Sequence, residues 1–283
     1  MIVIFFREQT KMSEKIEMIW LILLKKIKFE ANYIRMELKK LLEKQSEESF
    51  KKYIPTLSID CAIFSFNENS LHVLTVKMKD QDSWGLPGGY VQKDENVDDA
   101  AVRILKDRTG TENIYLQQFY TFGNLKRSES AFEEHDDSIW NKQRFVSIGY
   151  YALAEHSHVK LIIDEYSSVV EWKSIDDLPP FMMDHRSILD KALVTLREQL
   201  NNHPIGYNLL SEKFTMPELQ KLYEAILGKK LNRGNFYRKI LRYDILTKLD
   251  ESRKGGAHKA PDLYSFDLEK YNNALKEGLK GSW

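Results

Sequence analysis

Apolar residues follow two rhythms along this chain. Leu57 to Phe66 and Leu71 to Met78 are short, apolar-rich runs separated by the turn-forming Asn67-Glu68-Asn69-Ser70, which predicts two β-strands joined by a tight turn. A glycine turn at Gly88-Gly89 and a helix-like run from Asn96 to Gly110 come next. Ile114 to Asn124 and Arg144 to Leu153, rich in β-branched and aromatic residues, read as further strands. Val169 to Trp172 reads as a late strand, and Ser174 to Pro180 as a loop. The rhythm then changes. Ile188, Leu189, Ala192, Leu193, Leu196 and Leu200 recur at helical spacing, so Asp184 to Asn201 is predicted to be a helix that closes this domain, residues 53–203. Between the middle strands, Lys126 to Asn141 is a long polar stretch carrying Glu133, Glu134, Asp136, Asp137 and Trp140; it is either a functional loop or a solvated acidic one.

Asn201-Asn202-His203-Pro204 is the expected hinge to a second domain, residues 204–283. In Thr215-Met216-Pro217-Glu218-Leu219, Thr215 caps a helix, Pro217 sits in its first turn and Glu218 completes a capping box. Leu219, Leu222, Tyr223, Ile226 and Leu227 form its apolar face, and Gly228 ends it. Asn232 caps a second helix in which Phe236, Ile240 and Leu241 share a face. Arg233, Asn235, Tyr237, Arg238, Lys239 and Arg242 occupy the others. Two short helices with a tight turn, the second basic, make a helix-turn-helix. Strand-like Leu246 to Leu249 and Leu263 to Phe266 then enclose a glycine-rich loop bearing Arg253, Lys254, His258 and Lys259, a wing whose charges can lie along phosphates.

Residues 1–52 form a separate N-terminal segment. Met36 to Tyr53 is charge-rich and reads as a helix, whereas residues 1–35 are compatible with an amphipathic helix, and Met36 is an alternative start. Met18 to Leu24 is too short to span a bilayer, and Glu14 and Glu17 stand where a signal peptide needs a basic leader. No membrane association is expected. Forty-two acidic and forty-two basic residues cancel, but unevenly. Pro55 to Pro180 holds 12 Lys or Arg against 21 Asp or Glu; Ile205 to Ala260 holds 12 against 6. A polyanion is therefore expected to meet only the second domain. The single cysteine, Cys61, excludes an intrachain disulfide and fits a cytoplasmic location; its apolar neighbours mark it as a buried structural thiol.

The chemistry hinges on Gly88 to Gly110. Gly89, Glu95, Arg103, Leu105 and Gly110 fall on the Nudix box, in which a Gly and a Glu precede Arg-Glu-apolar-x-Glu-Glu-x-Gly. Where that box has its three glutamates, this chain has Ile104, Asp107 and Arg108, and the final apolar position is Thr111. Three carboxylates at such spacing share one helix face and suit hard divalent cations. Here the face holds one carboxylate, one aliphatic side chain and a guanidinium that stays protonated. A unit positive charge ~4 Å from a divalent ion costs roughly 8 kcal/mol at an effective dielectric of ~20. The expected fold class is thus α+β, a Nudix-type mixed sheet with helices followed by a winged helix-turn-helix, with no catalytic residue, metal or cofactor assigned.

The degenerate box together with Phe214-Thr215-x-x-Glu218-Leu219 and Asn235-Phe236-Tyr237-Arg238-Lys239 resembles the Nudix-related transcriptional regulators, over roughly residues 53 to 270. That resemblance implies a homodimer on a double-stranded DNA operator and a small-molecule effector in the former hydrolase pocket, either ADP-ribose-like or a sugar. Reduction of the box carboxylates and the entry of Arg108 incline the expectation toward a sugar, with L-arabinose the candidate, although Arg108 could equally pair with a pyrophosphate. Ligand contacts are expected at Trp84, Gly88, Gly89, Glu95, Arg103 and Arg108, with pairing of Arg103 to Glu95 an equal alternative. The contrasting function is a Nudix hydrolase acting on a nucleoside diphosphate derivative.

Overall fold

The computed structural model describes residues 2–79, 81–110, 114–200, 202–252 and 261–279. In chain order these form α1 (Ile2–Lys52), β1 (Tyr53–Asn67), β2 (Ser70–Met78), β3 (Trp84–Gly85), β4 (Gly88–Gln92), α2 (Val97–Thr109), β5 (Tyr115–Phe122), β6 (Val146–Leu153), β7 (Ser167–Ser174) and α3 (His185–Gln199). A second unit follows, with β8 (Phe214–Thr215), α4 (Met216–Leu227), α5 (Arg233–Arg242), β9 (Leu246–Ser252), β10 (Asp262–Phe266) and α6 (Leu268–Glu277). Thr111, Arg253, Lys254, His258 and Lys259, to which the sequence assigned roles, lie outside the described residues.

β1 is the spine of a mixed sheet. It pairs antiparallel with β2 and β4 and parallel with β6, which in turn carries β5; β2 also carries β3 and β7. The turn read from Asn67 to Ser70 is present: Glu68 and Asn69 take φ of 50° and 63°, and Asn67 faces Ser70 across the hairpin. Two positive φ values give a turn whose twist matches that of the flanking strands.

Alternation along β1 divides two buried layers. Ile59, Cys61 and Ile63 pack with Ala100, Ala101, Ile104 and Leu105 of α2. Ala62 and Phe64 face the other way, toward Ile188, Leu189, Ala192 and Leu196 of α3. That second layer continues without a break into Leu219, Leu222 and Ile226 of α4 and Phe236 and Ile240 of α5. The connector expected to act as a hinge is held in place: Tyr271 donates to the Pro204 carbonyl at 2.9 Å, Leu279 N–H donates to the Asn202 carbonyl at 2.9 Å, and Ile205 is buried.

The polar stretch 126–141 divides its residues between the two readings. Its carboxylates Glu133, Glu134, Asp136 and Asp137 are exposed, but Phe132, Ile139 and Trp140 are buried. Phe132 and Ile139 cluster with Leu38 and Leu42 of α1. The backbone N–H of Trp140 donates to Ser46 Oγ at 2.8 Å, and the Trp140 ring meets those of Phe50, Tyr53, Tyr90 and Phe145. The last turns of α1 therefore clamp this stretch. Farther up, Met18 and Trp20 to Leu24 are exposed, and no described helix is long and apolar enough to cross a membrane.

In the second unit Thr215 and Glu218 make the reciprocal capping box, and Gly228 closes α4 with φ 66°. Asn232 caps α5 by accepting from the Asn235 N–H. β8, β10 and β9 form a three-stranded sheet beside the helices. Two expectations are corrected. Leu241 is 44% exposed, and Tyr243, at 3%, fills the place it was expected to hold because the chain turns at the end of α5. α6 was not foreseen, since only Tyr271 and Ala274 are buried on it and so few apolar positions give no readable period.

Replacing Thr215 with Ala should lower stability by about 1 kcal/mol, whereas Ser should be nearly neutral, because only the hydroxyl acceptor is needed. Urea unfolding of the two variants checks this.

Candidate ligand site and nucleic-acid surface

A cavity of about 390 Å³ opens between β1, β4, the second half of α2, the clamped stretch and the first residue of α3. Its rim depends on two glycines. A Cβ on Gly88 would lie 2.6 Å from Asp60 Oδ1 and 2.8 Å from the Ile59 carbonyl, and one on Gly89 would lie 2.9 Å from Ile104 Cγ1. Only glycine lets β4 approach β1 and α2 this closely.

α2 brings Arg103, Ile104, Asp107 and Arg108 to the cavity wall. Ile104 lies against Gly89, so an aliphatic side chain occupies the ground of the box's first helical carboxylate. Arg103 is committed: its Nε and one terminal nitrogen donate to the two Glu95 oxygens at 2.9 and 2.6 Å, and that nitrogen also reaches the Tyr90 carbonyl at 2.9 Å. Glu95 further accepts from the Gln92 N–H at 2.7 Å. Hydrogen bonds from Arg103 hold the Glu95 carboxyl below its usual range. The pairing of Arg103 with Glu95, one of its two readings, is present, and Arg103 also lines the cavity. Arg108 sits 2.7 Å from Asp164, whose carboxyl burial would push up but which Arg108 and Ser167 together pull down.

The floor was not legible in the sequence. Asp60 on β1, Arg127 from the clamped stretch, Ser147 on β6, and Asp184 and His185 at the start of α3 converge there. Arg127 donates to Asp60 at 2.9 Å and to both Asp184 oxygens at 2.9 and 2.7 Å, and Ser147 donates to Asp60 at 2.6 Å. His185 Nδ1 accepts from the Leu86 N–H at 2.8 Å, which leaves Nε2 toward Asp60 at 3.8 Å. Burial alone would raise the Asp60 carboxyl, but the charges of His185 and Arg127 and the Ser147 hydroxyl bring it below its usual value. Burial pushes the neighbouring Cys61 thiol up, in keeping with a structural role. Asn141, 8% exposed, donates to Tyr90 Oη at 3.1 Å while its Oδ1 has no partner among the described residues. A charged residue inside an apolar strand, Ile59-Asp60-Cys61, was the one available signal.

Of the expected ligand contacts, Gly88, Gly89, Arg103 and Arg108 line the cavity. Trp84 does not: Gly85 beside it faces the cavity, so strand alternation turns Trp84 away, and Lys173 Nζ lies 4.5 Å from its ring centre. Glu95 also stays outside the lining, held by Arg103.

On the second unit, α5 buries Phe236 and Ile240 and leaves Arg233, Asn235, Tyr237, Arg238, Lys239 and Arg242 exposed. Arg238 donates to Asn235 Oδ1 at 2.6 Å, and the hydroxyls of Tyr237 and Tyr264 are 3.3 Å apart. Matches to family models divide the chain as the fold does: a NUDIX domain over residues 55–192 and the NrtR DNA-binding winged helix domain over residues 206–266. The chain belongs to the Nudix-related transcriptional regulators. This regulator is 29% identical over 225 residues to the ADPR responsive transcriptional repressor NtrR of Acinetobacter baylyi, covering 77% of this chain and 84% of that one. Shewanella oneidensis NrtR in complex with a 27mer DNA is similar with a TM-score of 0.64 and 26% identity, over 80% of this chain and 98% of that one. A second structure of Shewanella oneidensis NrtR gives a TM-score of 0.63 and 27% identity, over 79% of this chain and 100% of that one.

Arg127→Met should destabilise this regulator by about 3 kcal/mol, since it strands the buried Asp60 carboxylate and the half-buried one of Asp184; calorimetric unfolding reads the loss. A separate expectation concerns acid. Asp60 titrates below its ordinary 3.8 in the folded state, so its stabilisation is complete above that pH and is lost as pH falls below it. Asp60→Asn should lack that component of the acid unfolding curve.

Proposed function

We propose that this protein is a homodimeric, cytoplasmic transcriptional regulator whose Nudix domain binds an ADP-ribose-like nucleoside diphosphate sugar without hydrolysing it and thereby controls operator binding. The observation that carries this reading is a cavity with a hydrogen-bonded polar floor whose box helix presents Ile104 and the Arg108–Asp164 pair where the box has carboxylates. A volume of about 390 Å³ falls within the range of small-molecule sites. Tyr53, Tyr90 and Phe145 supply an aromatic wall suited to a base, and Asn141 Oδ1 and Asp60 supply acceptors suited to hydroxyls. The name of the Acinetobacter relative favours ADP-ribose over the L-arabinose that the sequence inclined toward.

On the DNA side, α5 enters the major groove. Asn235 and Arg238 read base edges, Arg233, Lys239 and Arg242 approach phosphates, and Tyr237 borders the contact. Arg253, Lys254, His258 and Lys259 of the wing add phosphate contacts. α3 supports communication between the two sites: its first residues belong to the cavity floor, and near its end Arg197 Nε donates to the Ile226 carbonyl of α4 at 2.7 Å. Occupancy that repositions α3 would change the geometry in which paired α5 helices meet two half-sites.

The reading is tested with a duplex selected from a randomised library and followed by fluorescence anisotropy. ADP-ribose should shift operator affinity, and L-arabinose at equal concentration should not; an unchanged affinity with ADP-ribose would remove it as effector. Arg238→Ala should weaken the operator complex by about 1–3 kcal/mol while ADP-ribose binding persists. Undiminished operator affinity would take α5 out of the interface.

A further inference from the structure

Three guanidiniums line the cavity, and they are not equivalent. Arg127 is shared between Asp60 and Asp184, so a phosphate beside it would meet a surplus of negative charge. Arg103 has its fork filled by Glu95 and the Tyr90 carbonyl. Among the described residues, Arg108 faces Asp164 alone of the carboxylates, through Oδ2 at 2.7 Å. The two side chains are 18% and 30% exposed, and both residues line the cavity.

Asp164 owes its position to its own loop. Its Oδ1 accepts from the Tyr166 N–H at 3.1 Å, the Ser167 N–H at 2.8 Å and Ser167 Oγ at 2.5 Å. Oδ2 is the atom presented to Arg108. If the guanidinium turned to another anion, the Asp164 carboxylate would keep three hydrogen bonds, so the exchange leaves no buried charge unpartnered.

We propose that Arg108 is the anion-binding residue of the effector site and that Asp164 is its internal stand-in, displaced when a phosphate oxygen of the effector takes the same face of the guanidinium. The inference rests on the reading of the cavity as a site for a nucleoside diphosphate sugar. It orients that effector, with the phosphates against α2 and the uncharged sugar or base over Asp60, Asn141 and the aromatic wall. It also makes binding independent of divalent metal, because Arg108 supplies a permanent positive charge and planar donors matched to phosphate oxygens. Asp164 sets the affinity, since every bound effector must replace it.

The test is calorimetric titration of ADP-ribose into the full chain, with EDTA and with millimolar MgCl₂. Equal affinities are expected, and loss of binding in EDTA would overturn the proposal. Arg108→Ala should weaken ADP-ribose about tenfold or more, as removal of a charge-assisted hydrogen bond does, and Arg108→Lys should weaken it less. Asp164→Asn keeps the acceptor for Ser167 and Tyr166 but removes the rival charge, so it should tighten ADP-ribose several-fold. A purely structural ion pair predicts the opposite, weaker binding together with a lower Tm. Should the wild type bind ADP-ribose while none of the three variants changes its affinity, the anion role of Arg108 fails and the site assignment survives. Should the wild type not bind ADP-ribose at all, the site assignment fails and the exchange fails with it.

Discussion

A single buried guanidinium joins three parts of this protein that are distant in sequence. Arg127 comes from the stretch that α1 clamps, Asp60 from the central strand and Asp184 from the residue just before α3. None of the three could be buried alone, because an isolated ion in a protein interior is costly and losing one partner strands the others. Their mutual satisfaction fixes where the clamped stretch, the sheet and α3 meet, and that meeting place is the cavity floor. His185, one residue farther on, then places a ring nitrogen toward Asp60 and accepts from the Leu86 backbone, so the floor also fixes the entry to β4.

From that floor the molecule is continuous into its second unit. α3 leaves the polar cluster, covers one face of the sheet with Ile188, Ala192 and Leu196, and passes into the same apolar layer as α4 and α5. A packed layer of this kind tends to move between discrete arrangements instead of bending smoothly, which gives a change at the cavity a route to the second unit. The opposite face carries the altered box on α2, where Ile104 fills space and the two arginines are held by Glu95 and Asp164. The altered box and the polar floor are thus on opposite walls of one cavity.

Features written in local sequence were legible. The Glu68-Asn69 turn, the Thr215–Glu218 capping box, Gly228 and the Asn232 cap each depend on residues a few positions apart, and each is found where the sequence puts it. The frame of the box was legible for the same reason. The floor was not, because Arg127 is 67 positions from Asp60 and 57 from Asp184, and no local pattern joins them. The direction of Trp84 depended on the register of a two-residue strand, and the burial of Trp140 on a helix some 90 positions earlier, with Ser46 at a separation of 94. Arg103 illustrates a middle case, in which the spacing to Glu95 allowed two readings and only the geometry shows the pair.

A nucleotide sugar bound in this cavity should stay intact. The most direct measurement is phosphorus NMR of ADP-ribose incubated with the protein and Mg²⁺ or Mn²⁺, following the pyrophosphate resonances and the phosphomonoester signals of any cleavage products. Pyrophosphate signals that broaden or shift on binding, with no monoester growing in, are the predicted result. Conversion at the roughly 1–10³ per second typical of enzymes would contradict the central claim.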